Sequence, residues 1–264
     1  MTARRVEVYA AVPDARGAAL LVPAGPRAEL RVPGVVLAHG ERPRAAARRA
    51  LAEAAAAPAP APAAAADPSV TEELRLLQVL SDVRTAPGGP ETHVLRLLYA
   101  ARTPAPDPDL LHDALASPVA ARSPDAPPAV QRPAAYAVVV RGGEALLTRV
   151  TGLGVWTLPG GGLDHGEHPD DAVVRETFEE TGLELVSAHL LDADSRHFTG
   201  RGPDQVLEDF HAVRVLYRGV VSEGREPQVQ EVGGSTDAVA WVPLDRLVRL
   251  RLADIARTAL HRER

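Results

Sequence analysis

Glu176, Glu179 and Glu180 are the residues from which chemistry is most readily built. On a helix they stand at i, i+3 and i+4, so three carboxylates project from one face. Like charges this close repel one another unless a cation sits among them. Oxygen donors of this kind suit Mg²⁺ or Mn²⁺, hard ions that also bind phosphate groups. The neighbouring residues are as specific as the acids. Gly161 stands six residues before Glu167, Arg175 directly precedes Glu176, and Gly182 follows two residues after Glu180.

The run carries its own helix signals. His168-Pro169-Asp170 opens it, with proline tolerated in the first turn and an acid favoured by the helix dipole, and Gly182 closes it as a C-terminal cap. An acid-rich surface helix would account for a Glu-Glu pair, but not for the glycine-rich entry, Glu167 and Gly182 together. Pro159-Gly160-Gly161-Gly162 is not a P-loop, because no Gly-Lys-Ser/Thr follows and the chain has no lysine.

Gly161, five residues, Glu167, seven residues, Arg175-Glu176, Glu179-Glu180 and Gly182-Leu183 resemble the Nudix box, with Thr177 the one departure, where an aliphatic residue is usual. The resemblance covers about Pro133 to Leu250. It implies a metal-dependent hydrolase that breaks a phosphoanhydride bond in a nucleoside diphosphate linked to another moiety. By the same resemblance Glu176, Glu179 and Glu180 hold Mg²⁺ or Mn²⁺, joined by the backbone carbonyl of Gly161. Arg175 orients Glu179, and Glu167 braces the loop against the helix. Gly161, Glu167 and Gly182 are the structural positions of the box. The metal would polarise phosphoryl oxygens and help generate hydroxide.

Strands must position this helix. Tyr136–Val140 and Ala145–Val150 read as a hairpin turned at Arg141-Gly142-Gly143-Glu144, and Trp156–Leu158 is a third short strand. Gln205–Val221 is a long strand pattern, and Ala238–Leu244 a closing strand before a helix at Asp245–Arg251. Outside the box, Glu231 is either the general base or a solvated loop acid. Arg196, His197, Phe198 and His211 are the candidate substrate-binding residues. The two histidines and the phenylalanine would stack on or hydrogen-bond a base, the alternative being a buried strand histidine and a packing phenylalanine. Arg196-His197-Phe198-Thr199 stands where many ADP-ribose pyrophosphatases carry a proline, so the expected substrates are a nucleoside triphosphate, an oxidised nucleotide or a nucleotide sugar such as ADP-ribose. A non-catalytic, nucleotide-sensing regulator is the rival reading, which the intact acids disfavour.

The chain also repeats itself. Pro33–Pro43 lies over Pro159–Pro169 at a constant offset of 126, as does Leu20-Leu21 over Leu146-Leu147. Further on, Leu76-Leu77 matches Leu190-Leu191 at 114, and His93 and Tyr99 match His211 and Tyr217 at 118. In this register Glu41, Arg49 and Glu53 stand for Glu167, Arg175 and Glu179, whereas Ala50, Ala54 and Ala56 replace Glu176, Glu180 and Gly182. The expected fold class is therefore α/β (α+β), with two Nudix-fold α/β/α sandwich domains of mixed sheets paired as an intrachain pseudo-dimer. Residues 1–102 form the degenerate copy, with an Ala/Pro insertion at about 54–68. Residues 103–132, which hold seven prolines, form a linker, and 133–264 the catalytic domain.

Composition sets limits. The 264 residues suffice for two modest cores. Cysteine is absent, which removes disulfides, thiolate metal sites and a cysteine nucleophile. A formal charge of −6 argues against a basic nucleic-acid surface. No apolar run is long enough for a membrane span and no signal-peptide core opens the chain. The expectation is a cytoplasmic protein with a small nucleotide substrate, no nucleic-acid or membrane partner, and a monomeric pseudo-dimer or a homodimer.

Overall fold

The computed structural model of the chain describes residues 3–11, 22–24, 29–56, 74–85, 89–101, 130–201, 207–230, 233–261 and 263. They fall into two compact units. The first comprises residues 1–133 and 192–213, and the second 134–191 and 214–264. This division differs from a single cut in a linker. Strands β11 (Leu185–Arg201) and β12 (Leu207–Val221) run for 17 and 15 residues, and their far ends belong to the first unit. Most of the expected linker and Glu231 lie outside the described residues, as does the tract beyond Ala56.

In the first unit, β1 (Ala3–Ala11) pairs antiparallel with β4 (Gly34–Val36) and parallel with β6 (Glu91–Ala100), which in turn pairs antiparallel with β5 (Arg75–Thr85). The sheet order is β4-β1-β6-β5. A parallel neighbour needs a crossover, and helix α1 (Pro43–Ala56) lies in it. Residues 54–56, expected to be part of the solvated insertion, instead extend this helix. Alanine is the best helix former, so these positions favour the helical state. Tyr9, Ala11, Val32, Leu98 and Ala100 form a buried cluster with Leu77 and Leu80 against it. Tyr9 lies on Gly34 so closely that a Cβ there would sit 2.4 Å from its ring. Beneath it a buried charge is paired: Glu7 accepts from the Tyr9 hydroxyl at 2.8 Å and meets Arg5 at 2.6 Å.

The second unit is built on β7 (Val130–Arg141), β8 (Glu144–Val150) and β13 (Thr236–Pro243), with sheet order β11-β12-β7-β8-β13. The β7–β8 hairpin turns on Gly142 and Gly143, whose φ values of 58° and 81° belong to a two-residue hairpin turn. Short strands β9 (Val155–Thr157) and β10 (Gly160–Gly162) pair with β8 and β7, and helix α2 (Pro169–Thr181) follows. The closing strand leads into a 3-10 turn, Leu244–Arg249, rather than an α-helix, and then helix α3 (Asp254–His261). Val138, Leu147, Leu158, Leu216, Leu247 and Leu260 anchor its apolar core.

The sequence offset reappears in the backbone. The β8–β9 ladder pairs Thr148 with Thr157, Arg149 with Trp156 and Val150 with Val155. The ladder of β2 (Val22–Ala24) and β3 (Glu29–Arg31) pairs the residues 126 positions earlier. Among the described residues no helix is long and apolar enough to cross a membrane.

Candidate active site

The site helix α2 begins as its sequence dictates. The His168 ring accepts the Asp170 N–H at 3.2 Å, and Pro169 fills the first turn. Gly182 ends the helix at φ 69°, its N–H donating to the Phe178 carbonyl at 2.7 Å. Tyr217 on β12 donates to Asp170 at 2.5 Å, fastening the first turn to the sheet.

Arg175 organises the acids. Its Nε and Nη2 donate to the two Glu167 oxygens, each at 2.8 Å, and Nη2 also reaches the Gly162 carbonyl at 3.2 Å. Its Nη1 donates to Glu176 at 2.9 Å and Glu179 at 3.1 Å. Glu167 closes the loop through the Asp164 N–H at 2.7 Å. It spans the loop and the helix. Arg175 thus holds three carboxylates, those of Glu167, Glu176 and Glu179.

The three acids differ in environment. Glu179 is exposed. The side chain of Glu176 is 15% exposed and its carboxyl lies on the backbone of Gly161, where a Cβ would stand 2.6 Å from it. Burial lifts its pKa to about 7, with Arg175 opposing and the charges of Glu180 and Glu179 adding to the rise. Glu180 is buried and spoken for: one oxygen accepts from the Gly160 N–H at 3.0 Å and Thr148 at 3.3 Å, the other from Thr236 at 2.5 Å and Ser235 at 3.5 Å. It ties the helix to the glycine turn and to β8 and β13. The threonines were illegible in the sequence because an inward-facing hydroxyl in an apolar strand pattern carries no distinguishing signal.

This donor set fits a hard divalent cation. Glu176 is costly to ionise in its present surroundings, and a cation against it and Glu179 would remove that cost. Lone pairs of Glu180 beyond its four neutral donors are few, so its share in such a site is smaller than the spacing suggests. Thr177, the departure from the box, is buried, and its hydroxyl finds no hydrogen-bond partner among the described residues.

The remaining candidates group in the first unit. Arg196 lies 5.7 Å over the ring of Phe198, which packs at 5.3 Å on Phe210. His197 is bonded to Asp209 at 2.5 Å. His211 is fully buried; its Nε2 donates to the Glu41 carbonyl at 3.0 Å and Nδ1 faces the Gln131 amide at 3.5 Å. Burial first, and the nearby His39, lower its pKa to about 4. A neutral ring with both edges engaged braces β12 against the loop before α1.

A second guanidinium cluster stands in the first unit. Arg49 donates to both oxygens of Glu41 at 3.0 and 2.9 Å, to Glu53 at 2.9 Å and to the Val36 carbonyl at 2.9 Å, while the Ala38 N–H reaches Glu41 at 3.0 Å. Burial raises the Glu41 pKa, but these donors outweigh it and hold the group below the ordinary range.

Comparison with known families matches residues 130–262, a single stretch of about half the chain, to the NUDIX domain. An RNA pyrophosphohydrolase of Brucella anthropi is 33% identical over 109 residues, 36% of this chain and 60% of that protein. The chain thus spans under two thirds of that relative. A MutT-like protein of Streptomyces ambofaciens is 31% identical over 129 residues, 49% of this chain and 73% of that protein. A solved MutT NUDIX hydrolase from Burkholderia pseudomallei is 32% identical and aligns over 50% of this chain and 97% of its own, with a TM-score of 0.38. The exclusion of nucleic acid drawn from net charge finds no support in the first of these names. Whole-chain charge governs non-specific affinity, not capture of a phosphorylated group by a local site.

Proposed function

Because the chain belongs to the Nudix pyrophosphohydrolase family, we propose that its C-terminal half hydrolyses a phosphoanhydride bond in a nucleoside diphosphate linked to a further group. The observation that carries this reading is the Arg175 cluster: one guanidinium holds Glu167, Glu176 and Glu179 together over the glycine turn. Glu176 and Glu179, assisted by Glu180, would hold Mg²⁺ or Mn²⁺, which when bound polarises phosphoryl oxygens and acidifies water. Arg175 keeps these two carboxylates in register, and Glu180 fixes the Gly160 N–H next to the Gly161 backbone on which Glu176 rests. The substrate class includes nucleoside triphosphates, oxidised nucleotides, ADP-ribose and, given the relatives named as RNA pyrophosphohydrolases, triphosphate-ended RNA.

The test is product identification by mass from a panel of these four with Mg²⁺. Cleavage between phosphorus atoms of at least one, reduced about 100- to 1,000-fold by Glu176→Gln, is expected, a loss in the range that removing one strong charge-stabilising group produces. Turnover that survives the change would show that another site does the work.

We further propose that the N-terminal half is a Nudix-like copy that lost its acids at Ala50 and Ala54. The shared offset of 126 in the β2–β3 and β8–β9 ladders and the matching Arg49 and Arg175 braces support it. With one acid left on that helix face, Mg²⁺ would find too few charged oxygens there.

A further inference from the structure

The loop of the first unit that precedes α1 carries a histidine that meets two further metal-ligating side chains. His39 in this loop, His197 on β11 and Asp209 on β12 bring three ligand atoms to within 4.8 Å of one another. The Asp209 carboxylate stands between the rings: one oxygen lies 2.5 Å from His197 Nε2, the other 3.1 Å from His39 Nε2. The two rings meet edge-on with centroids 4.8 Å apart.

An aspartate between two histidines is commonly an ion pair, but two observations argue for more here. Neither ring nitrogen of His39 has a hydrogen-bond partner of acceptable geometry among the described residues, although both are sealed from solvent. The 3.1 Å approach of Nε2 to Asp209 is an ion-pair distance and also a spacing that ligands of one metal ion adopt. Nδ1, shut off from water, costs stability unless something else engages it.

Secondly, the arrangement is held in place by groups that are not themselves ligands. The Glu41 carbonyl, two residues from His39, accepts from Ser195 Oγ at 2.9 Å and from His211 Nε2 at 3.0 Å, which pins the loop to β11 and β12. The Glu41 side chain is fixed by Arg49 and the Ala38 N–H, and Gly40 takes a left-handed turn at φ 76°. Outer contacts of this sort fix ligand orientation in metal sites.

We propose that His39, His197 and Asp209 bind a divalent transition metal, with Zn²⁺ the natural occupant. Two imidazoles and one carboxylate suit zinc and its neighbours, whereas magnesium prefers oxygen alone. His197 and Asp209 are partly exposed, at 47% and 42% of their side-chain surface, which leaves a side of the ion open to water or a substrate group. The site does not depend on the hydrolase reading, since it shares no residue with the Arg175 cluster.

The full chain, stripped with a chelator and returned to buffer with excess Mg²⁺, is titrated with Zn²⁺, and bound zinc is measured by elemental mass spectrometry. A Co²⁺ titration follows the visible ligand-field bands as a second reading. One tight equivalent is expected, and His197→Gln and Asp209→Asn should each weaken it about 100-fold, at the upper end of what even an outer-shell change costs. Both side chains are partly exposed, so the variants are expected to fold, which circular dichroism checks. Glu176→Gln should leave the zinc equivalent in place. No uptake by the native chain, uptake unchanged in both cluster variants, or uptake lost in Glu176→Gln would each overturn the assignment.

Discussion

Replacing Glu176 by glutamine should stabilise the metal-free protein at alkaline pH while disabling its response to metal. The carboxyl is held at about 7 against an ordinary 4.5, so ionising it in the fold costs on the order of 3 kcal/mol. A carboxyl whose folded pKa lies above its unfolded one contributes its stability in full below the unfolded value and loses it as pH climbs through the folded one. The metal-free native chain should therefore lose stability between about pH 4.5 and 8 relative to the Gln variant, which has no such titration. Glutamine also gives up an ionic partner of Arg175, so the net gain near pH 8 should be about 1–3 kcal/mol. The assay is urea unfolding in chelator at about pH 5 and about pH 8. With Mg²⁺ at roughly 100 times its dissociation constant the native protein should recover about 2.7 kcal/mol and the variant almost nothing. A difference between the two proteins that does not change with pH, or a variant less stable at alkaline pH, would refute the electrostatic account.

Two neighbouring glycines should fail in different ways. Gly161→Ala meets only the movable end of Glu176, so folding should persist while activity falls at least about tenfold, from misplacement of one carboxylate. Gly160→Ala puts a Cβ 2.2 Å from the Ala135 carbonyl at φ 139°, and thermal unfolding should report a loss of several kcal/mol, of the order set by backbone strain and overpacking together. Thr177→Val removes a buried hydroxyl without a hydrogen-bond partner, and calorimetry should show a gain of about 1 kcal/mol. A chain beginning at Val130 loses the bonds from Arg44 to Asp192 and from Ser195 to the Glu41 carbonyl, so amides in residues 192–213 should exchange faster than in the full chain. Unchanged exchange there would refute a stabilising role for the segment before Val130.

Local chemistry was legible in the sequence wherever it is decided within a few residues. Pro169 and Gly182 bound the helix because one presets φ and the other tolerates a left-handed turn, and the helical period alone puts Glu176, Glu179 and Glu180 on one face. The hairpin at Gly142-Gly143 follows from the same backbone preferences. The offset of 126 was legible as well, since a repeat is a comparison of the sequence with itself. What the three acids do with their surroundings required the assembled sheet. Glu180 is occupied by Thr148 and Thr236, distant in sequence and joined only by strand pairing, and Glu176 gains its raised pKa from burial, a property of the finished packing. His39 and Asp209 lie 170 residues apart in a chain whose pattern singles out neither. Only the tertiary fold, by pinning one loop through the Glu41 carbonyl, decides that they meet.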